Sequence, residues 1–118
     1  MHGSVLVVDD EEDIRELVRL RLSSLGVEVR EAESGQAALD VQKTNHCDAV
    51  LLDQRMPGMS GLAVARRLVA TGETAAMAIY SAYLNPEVHR EARERGLPCF
   101  AKSDWNAVIT WLNDVLPE

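Results

Sequence analysis

Three aspartates, a lysine and a serine stand where apolar runs stop. Asp9 and Asp10 follow the run Ser4–Val8, and Asp53 follows Ala49–Leu52. Leu97–Ala101 ends at Lys102, and Ala75–Tyr80 ends at Ser81. If these runs lie side by side as parallel strands, their ends meet on one rim, which is where open α/β sheets place ligand chemistry. Carboxylates crowded there repel one another unless a proton or a cation neutralises them, and an all-oxygen donor set suits a hard ion such as Mg2+. The three acids therefore read as a Mg2+ site with one carboxylate left to react, and Lys102 arrives at the same rim.

The elements that would hold these residues alternate from end to end. Ala49–Leu52 has no polar alternation, so both faces are expected to be covered, as in a central parallel strand. Pro57 and Gly58 then break the chain and leave Asp53 on the rim. After the first strand, the acidic stretch Asp10–Asp13 opens a helix with a predicted buried stripe of Ile14, Leu17, Val18, Leu22 and Leu25, and Gly26 ends it. Val27–Glu31 alternates as an edge strand does. Ser34 caps a second helix that turns Ala37, Ala38 and Val41 inward and closes at Asn45-His46. A third helix covers Gly61–Val69, and Thr71–Thr74 is a loop before the fourth strand.

Asn85 and Pro86 start a fourth helix, in which only Val88 and Ala92 are clearly apolar before Gly96. With so little to bury, it is expected to be the most mobile helix. Ser103 and Asp104 cap the last one, whose stripe is Trp105, Ile109, Leu112 and Leu116. Val108, Val115 and Trp111 widen its arc, so Trp111 is expected to be partly exposed. That arc reads equally as cover for the sheet edge and as a subunit interface. Five such units with acids after strands one and three predict a doubly wound (βα)5 fold, a five-stranded parallel sheet in the order 2-1-3-4-5 between helical layers, a flavodoxin-like sandwich.

Composition narrows the function. With 118 residues, 47% hydrophobic content and no long apolar run, the chain reads as a single globular domain over 1–118, without a membrane span. Met1-His2-Gly3 lacks the basic and apolar regions of a secretory leader, so a cytoplasmic location is expected. The ending Leu116-Pro117-Glu118 suits either a terminus or the start of a linker to the rest of a regulator or hybrid kinase. A net charge of −7 argues against direct nucleic-acid binding. Cys47 and Cys99 lack metal-ligand spacing and read as small buried thiols, the three histidines read as surface residues, and Met56 and Met59 as packing residues.

Taken together, Val8-Asp9-Asp10, the stretch Asp53-Gln54-Arg55-Met56-Pro57-Gly58-Met59-Ser60-Gly61, Ser81-Ala82 and Lys102 resemble the response-regulator receiver domain of two-component signalling, and the resemblance covers nearly the whole chain. Singly, each has a bland reading as a turn acid, a helix-capping acid, a loop hydroxyl or a solvated charge. The resemblance implies that Asp53 accepts a phosphoryl group from a phosphohistidine on a sensor histidine kinase or histidine phosphotransfer protein. It implies Mg2+ held by Asp10 and Asp53 directly, by Asp9 through water and by the backbone carbonyl of Arg55. Ser81 would bond the phosphoryl group, and Lys102 would pair first with the acids and then with phosphate. The loops after strands four and five would follow them inward and control an output or partner. Homodimerisation through the fourth helix, fifth strand and fifth helix is a further expectation.

The chain departs from the family in two places. Where receivers carry a switch aromatic, three residues before the lysine, Cys99 stands, and Phe100 lies one place late on the opposite strand face. Tyr83 is a candidate replacement. Ser103 stands where a cis-proline usually follows the lysine. Since a cis bond before serine costs about 2.5–4 kcal/mol, a trans bond and an altered loop are expected. Gln54 and Arg55 line the approach of the hydrolytic water in the family. Two other functions compete: a degenerate receiver that binds partners without phosphorylation, and a haloacid-dehalogenase-like phosphatase. The second needs an acid two residues after the nucleophile, where Arg55 stands. The main reading is a phosphoacceptor module that catalyses its own modification and turns over no separate substrate.

Overall fold

Strand and helix alternate without a break because short strands of three to six residues, mostly apolar, alternate with amphipathic helical stretches. The computed structural model describes residues 1–82 and 84–117. In chain order they form β1 (Ser4–Val8), α1 (Glu12–Ser23), β2 (Glu28–Ala32), α2 (Gly35–Thr44), β3 (Ala49–Leu52), α3 (Gly61–Ala70), β4 (Ala76–Ser81), α4 (Pro86–Glu94), β5 (Cys99–Ala101) and α5 (Trp105–Val115). All strand pairs are parallel, in the order β2-β1-β3-β4-β5. Val8 and Leu52 are paired neighbours, so the residues that follow, Asp9 and Asp53, emerge side by side.

The sheet separates two cores because successive strand residues face opposite ways. Leu6, Val8, Val50, Leu52 and Ile79 pack against Ala38 of α2, Leu62 and Leu68 of α3, and Val88 and Ala92 of α4. Val5, Val7, Leu51 and Ala78 pack against Val18 and Leu22 of α1 and Val108 and Leu112 of α5. Cys99 belongs to the first face and Phe100 to the second, as strand alternation requires.

Caps set the helix starts. Ser34 Oγ accepts from Ala37 N, Ser60 Oγ from Ala63 N, Asn85 Oδ1 from Val88 N, and Asp104 Oδ1 from Ala107 N. The start of α1 differs: its first residue is preceded by Glu11, whose side chain makes no capping bond.

Several expectations are corrected. Leu17 and Leu25 are not in the buried stripe of α1, being 44% exposed each. The packed face follows the four-residue spacing Ile14, Val18, Leu22, with Leu17 on its flank and Leu25 beyond the last turn. On α5 the centre of the buried face is Val108 and Leu112, and Trp105, Ile109, Trp111 and Val115 flank it half-buried. On α2 the buried residues are Gly35, Ala38 and Gln42, with Ala37 and Val41 only partly covered. β2 runs one residue later than expected, and β5 is two residues shorter, because Pro98 has no N–H to extend the ladder. Cys47 is buried, whereas Cys99 is partly exposed. Tyr83 lies outside the described residues.

Candidate functional site

The site is built by strand register before any side chain is considered. β1 and β3 pair through their last residues, and Asp53 N donates to the Val8 carbonyl, which fixes the two acidic ends against each other. β4 ends at Ser81, paired with Ala101 of β5, so Lys102 leaves the sheet on the same rim.

The loop after β3 is tied back to the strand end. Gly61 N donates to the Gln54 carbonyl, and Gln54 Oε1 accepts from Leu62 N, an N–H with no partner inside α3. A Cβ on Gly61 would stand 2.5 Å from the Asp53 carbonyl oxygen, so this close approach of helix to strand requires glycine. Met56 and Met59 pack against the core as expected, and the Arg55 side chain points outward.

Carboxylate oxygens of Asp9, Asp10 and Asp53 lie within 4.8 Å of one another, with Asp9 and Asp53 buried and Asp10 exposed. Lys102 Nζ donates to Asp9 Oδ2 at 2.6 Å and stands 3.6 Å from Asp53 Oδ1. Asp9 Oδ1 accepts from Glu11 N at 2.9 Å. Asp53 Oδ1 is buried and has no hydrogen-bond partner among the described residues. Burial pushes the Asp53 carboxyl above its ordinary range, and the charge on Asp9 adds to the rise, while Lys102 and a hydrogen bond from Ser81 oppose it. For Lys102, burial alone would lower the ammonium. The bond to Asp9 and the charges of Asp53 and Asp9 outweigh burial and raise it.

This arrangement fits a hard divalent cation. The donors are all oxygen, one exposed acid leaves the cluster open, and the buried Asp53 oxygen lacks the partner that burial normally demands. Asp9, Asp10, Asp53, Ser81 and Lys102 all come together as expected.

Two residues around the site escaped sequence reasoning. Arg15 Nη1 donates to the Asp9 carbonyl at 2.7 Å, and its Nε pairs with Glu31 of β2. A basic residue one turn into the helix after an acid pair is a weak signal for such a brace. Tyr80 OH donates to the Lys102 carbonyl at 3.1 Å, a contact that depends on β4–β5 register. Away from the rim, His46 is exposed as expected, but its Nε2 lies 2.6 Å from Oε1 of the buried Glu73 carboxylate.

The fold and the rim define a class, the parallel α/β domain with an acid cluster and a lysine at its switch point. The chain belongs to the response regulator receiver domain family, which it matches over residues 5–102. It is thus a receiver domain of two-component phosphorelay signalling. It is 34% identical over 103 residues to sporulation initiation phosphotransferase F of Bacillus subtilis, covering 86% of this chain and 83% of that one. It is 43% identical over 65 residues to the autoinducer 1 sensor kinase/phosphatase LuxN of Vibrio campbellii, covering 55% of this chain and 8% of that protein. Among solved structures, the response regulator TrrA of Thermotoga maritima, crystallised with Mg2+ and BeF, superposes with a TM-score of 0.86 at 31% identity. That superposition covers 96% of this chain and 98% of the other. No helix among the described residues is long and apolar enough to cross a membrane.

Proposed function

We propose that Asp53 is the phosphoacceptor of this receiver. The observation that carries the assignment is its buried Oδ1, without a hydrogen-bond partner among the described residues, beside a neighbouring acid and 3.6 Å from a lysine ammonium. A carboxylate oxygen of Asp53 attacks the phosphorus of a phosphohistidine on a partner; the N–P bond breaks, its electron pair stays on the imidazole nitrogen, and an acyl phosphate forms. Lys102 neutralises charge on the transferring oxygens, leaving Asp9 as it does so. Ser81, already bonded to the Asp53 carboxyl, donates to the phosphoryl group. Asp9, Asp10, Asp53 and the Arg55 carbonyl would hold Mg2+, which when bound adds positive charge against the phosphoryl oxygens.

The donor is a sensor histidine kinase or a histidine phosphotransfer protein. A phosphotransferase and a sensor kinase among the relatives support this class of partner. In this reading the 1–118 unit acts as a single cytoplasmic domain that modifies itself and turns over no other substrate. Half-buried Phe100 and Trp111 support homodimerisation through α4, β5 and α5.

The test is incubation with Mg2+ and acetyl phosphate, read by intact mass beside Asp53→Asn. One added phosphoryl group is expected in the wild type alone, lost when Mg2+ is removed. An equal gain in both proteins would refute the assignment.

A further inference from the structure

β5 gives out one residue before the lysine it delivers. Its ladder with β4 pairs Ile79 with Cys99, Tyr80 with Phe100 and Ser81 with Ala101, and goes no further. Lys102 is therefore the first residue beyond the paired backbone. Asp104 N donates to the Ala101 carbonyl at 2.9 Å and closes a turn over Lys102 and Ser103, but neither Ser103 nor Asp104 has a ring to restrict φ, and both are exposed. Yet the Lys102 ammonium is held 2.6 Å from Asp9 and 3.6 Å from Asp53, with its side chain 16% exposed. A four-carbon stem with about 2 kcal/mol of rotamer entropy stays so placed only when the peptide that carries it is held, and the turn bond leaves the Lys102 carbonyl itself unused.

The backbone is tethered from the strand beside it. Tyr80 is buried, and its hydroxyl donates to the Lys102 carbonyl at 3.1 Å. Consecutive strand residues point to opposite faces, so β4 serves the site twice: Ser81 reaches the Asp53 carboxyl, and Tyr80, on the other face, reaches the lysine's own peptide. The Tyr80 ring is itself fixed, edge-on to Trp105 of α5 with centroids 6.2 Å apart, and the Arg21 guanidinium of α1 lies 5.1 Å from the centre of the Trp105 ring. Burial pushes the phenol above its ordinary range, so it remains a donor at neutral pH.

We propose that Tyr80 is a positioning residue for Lys102: its hydroxyl fixes the Lys102 peptide at the open end of β5, so that only the side chain has to swing from Asp9 toward a phosphoryl group on Asp53. The proposal rests on the roles assigned above to Asp53 and Lys102. It separates two tasks, holding the cation donors and placing the lysine. Asp9, Asp10, Asp53 and Arg55 do the first without Tyr80.

The experiment uses Tyr80→Phe, which keeps the ring and its contact with Trp105 and removes one hydroxyl. With Mg2+ saturating and acetyl phosphate limiting, Asp53 phosphorylation is expected to slow about fivefold, the size of one neutral hydrogen bond. Mg2+ affinity, read from tryptophan fluorescence, is expected to stay within about twofold, since a single hydroxyl away from the donors is removed. Lys102→Ala is expected to be slower still, and adding Tyr80→Phe to it to slow it no further, because both changes act through one group. Phosphorylation of Tyr80→Phe at the wild-type rate while Lys102→Ala is impaired would overturn the proposal alone. So would a full fivefold effect in the Lys102→Ala background, or a parallel fall in Mg2+ affinity, which marks general loosening. Wild-type phosphorylation by Lys102→Ala would remove the underlying assignment and the proposal with it. In the unaltered protein the Tyr80 hydroxyl proton is expected to exchange slowly enough to be seen by NMR, and its rapid exchange with solvent would count against the tether.

Discussion

At the scale of single residues, Asp53 is held where burial opposes its charge. Its carboxyl is raised by burial first and by Asp9 second, against the pull of Lys102 and Ser81. An acid whose folded pKa exceeds its unfolded value contributes stability that is present below the unfolded value and lost as pH rises through the folded one. Asp53→Asn is therefore expected to melt higher than the wild type at pH 7 in EDTA, by about 4 °C or about 1 kcal/mol. The gap is expected to close toward pH 3, and to narrow at pH 7 on adding Mg2+, which stabilises only the protein that binds it. Thermal melts across pH check this, and a lower melting point for Asp53→Asn at pH 7 would show that the Lys102 attraction outweighs burial. The acids, serine and lysine were legible because each follows an apolar run. Arg15 and Tyr80 were not, since each acts on a backbone atom whose place depends on the fold.

Among the elements, α4 combines little apolar burial with an ionic link. Val88 and Ala92 are its buried side chains, and Glu91 binds both Arg66 of α3 and Arg95. Burial slightly opposes ionisation of Glu91, but Arg95 and Arg66 outweigh it and lower its pKa. A lowered acid contributes stability present above its unfolded value of 4.5 and lost as pH falls through the folded one. Amide exchange in α4 is expected to be the fastest among the helices at pH 7. Glu91→Gln is expected to speed it further, less so in high salt and not at all near pH 3. Exchange slower in α4 than in α1, or an unchanged rate in the variant, would contradict this. The helix starts were readable from capping side chains. The buried faces of α1 and α5 were not, because an arc of apolar residues wider than the contact leaves the sheet to choose its centre.

For the whole molecule, the two thiols report on opening. Burial raises both Cys47 and Cys99 above the usual thiol range, with Arg30 partly opposing this at Cys47, so both stay protonated at neutral pH. Cys47 is fully buried in the core under α2 and α3, whereas Cys99 lies on the short edge strand. In native conditions Cys99 is expected to react with a disulfide reagent well before Cys47, and the Cys47 rate to follow global unfolding in urea. Equal rates would mean that β5 opens only with the whole domain.

The amino-acid sequence by itself determined the alternation of strands and helices, because mostly apolar strands between amphipathic stretches leave few ways to cover a parallel sheet, and the acids after the first and third strands pointed to the order with its reversal between those two. It also determined which residues reach the rim, since strand ends are marked locally by the change from apolar to charged. Tertiary structure alone decided how they are held: that Lys102 hydrogen-bonds Asp9 and stands farther off, at 3.6 Å, from Asp53, that one Asp53 oxygen has no hydrogen-bond partner among the described residues, and that the Tyr80 hydroxyl donates to the Lys102 carbonyl. Those are relations between residues distant in the chain, set by register and side-chain reach to within an ångström, and no local pattern encodes a distance of that kind.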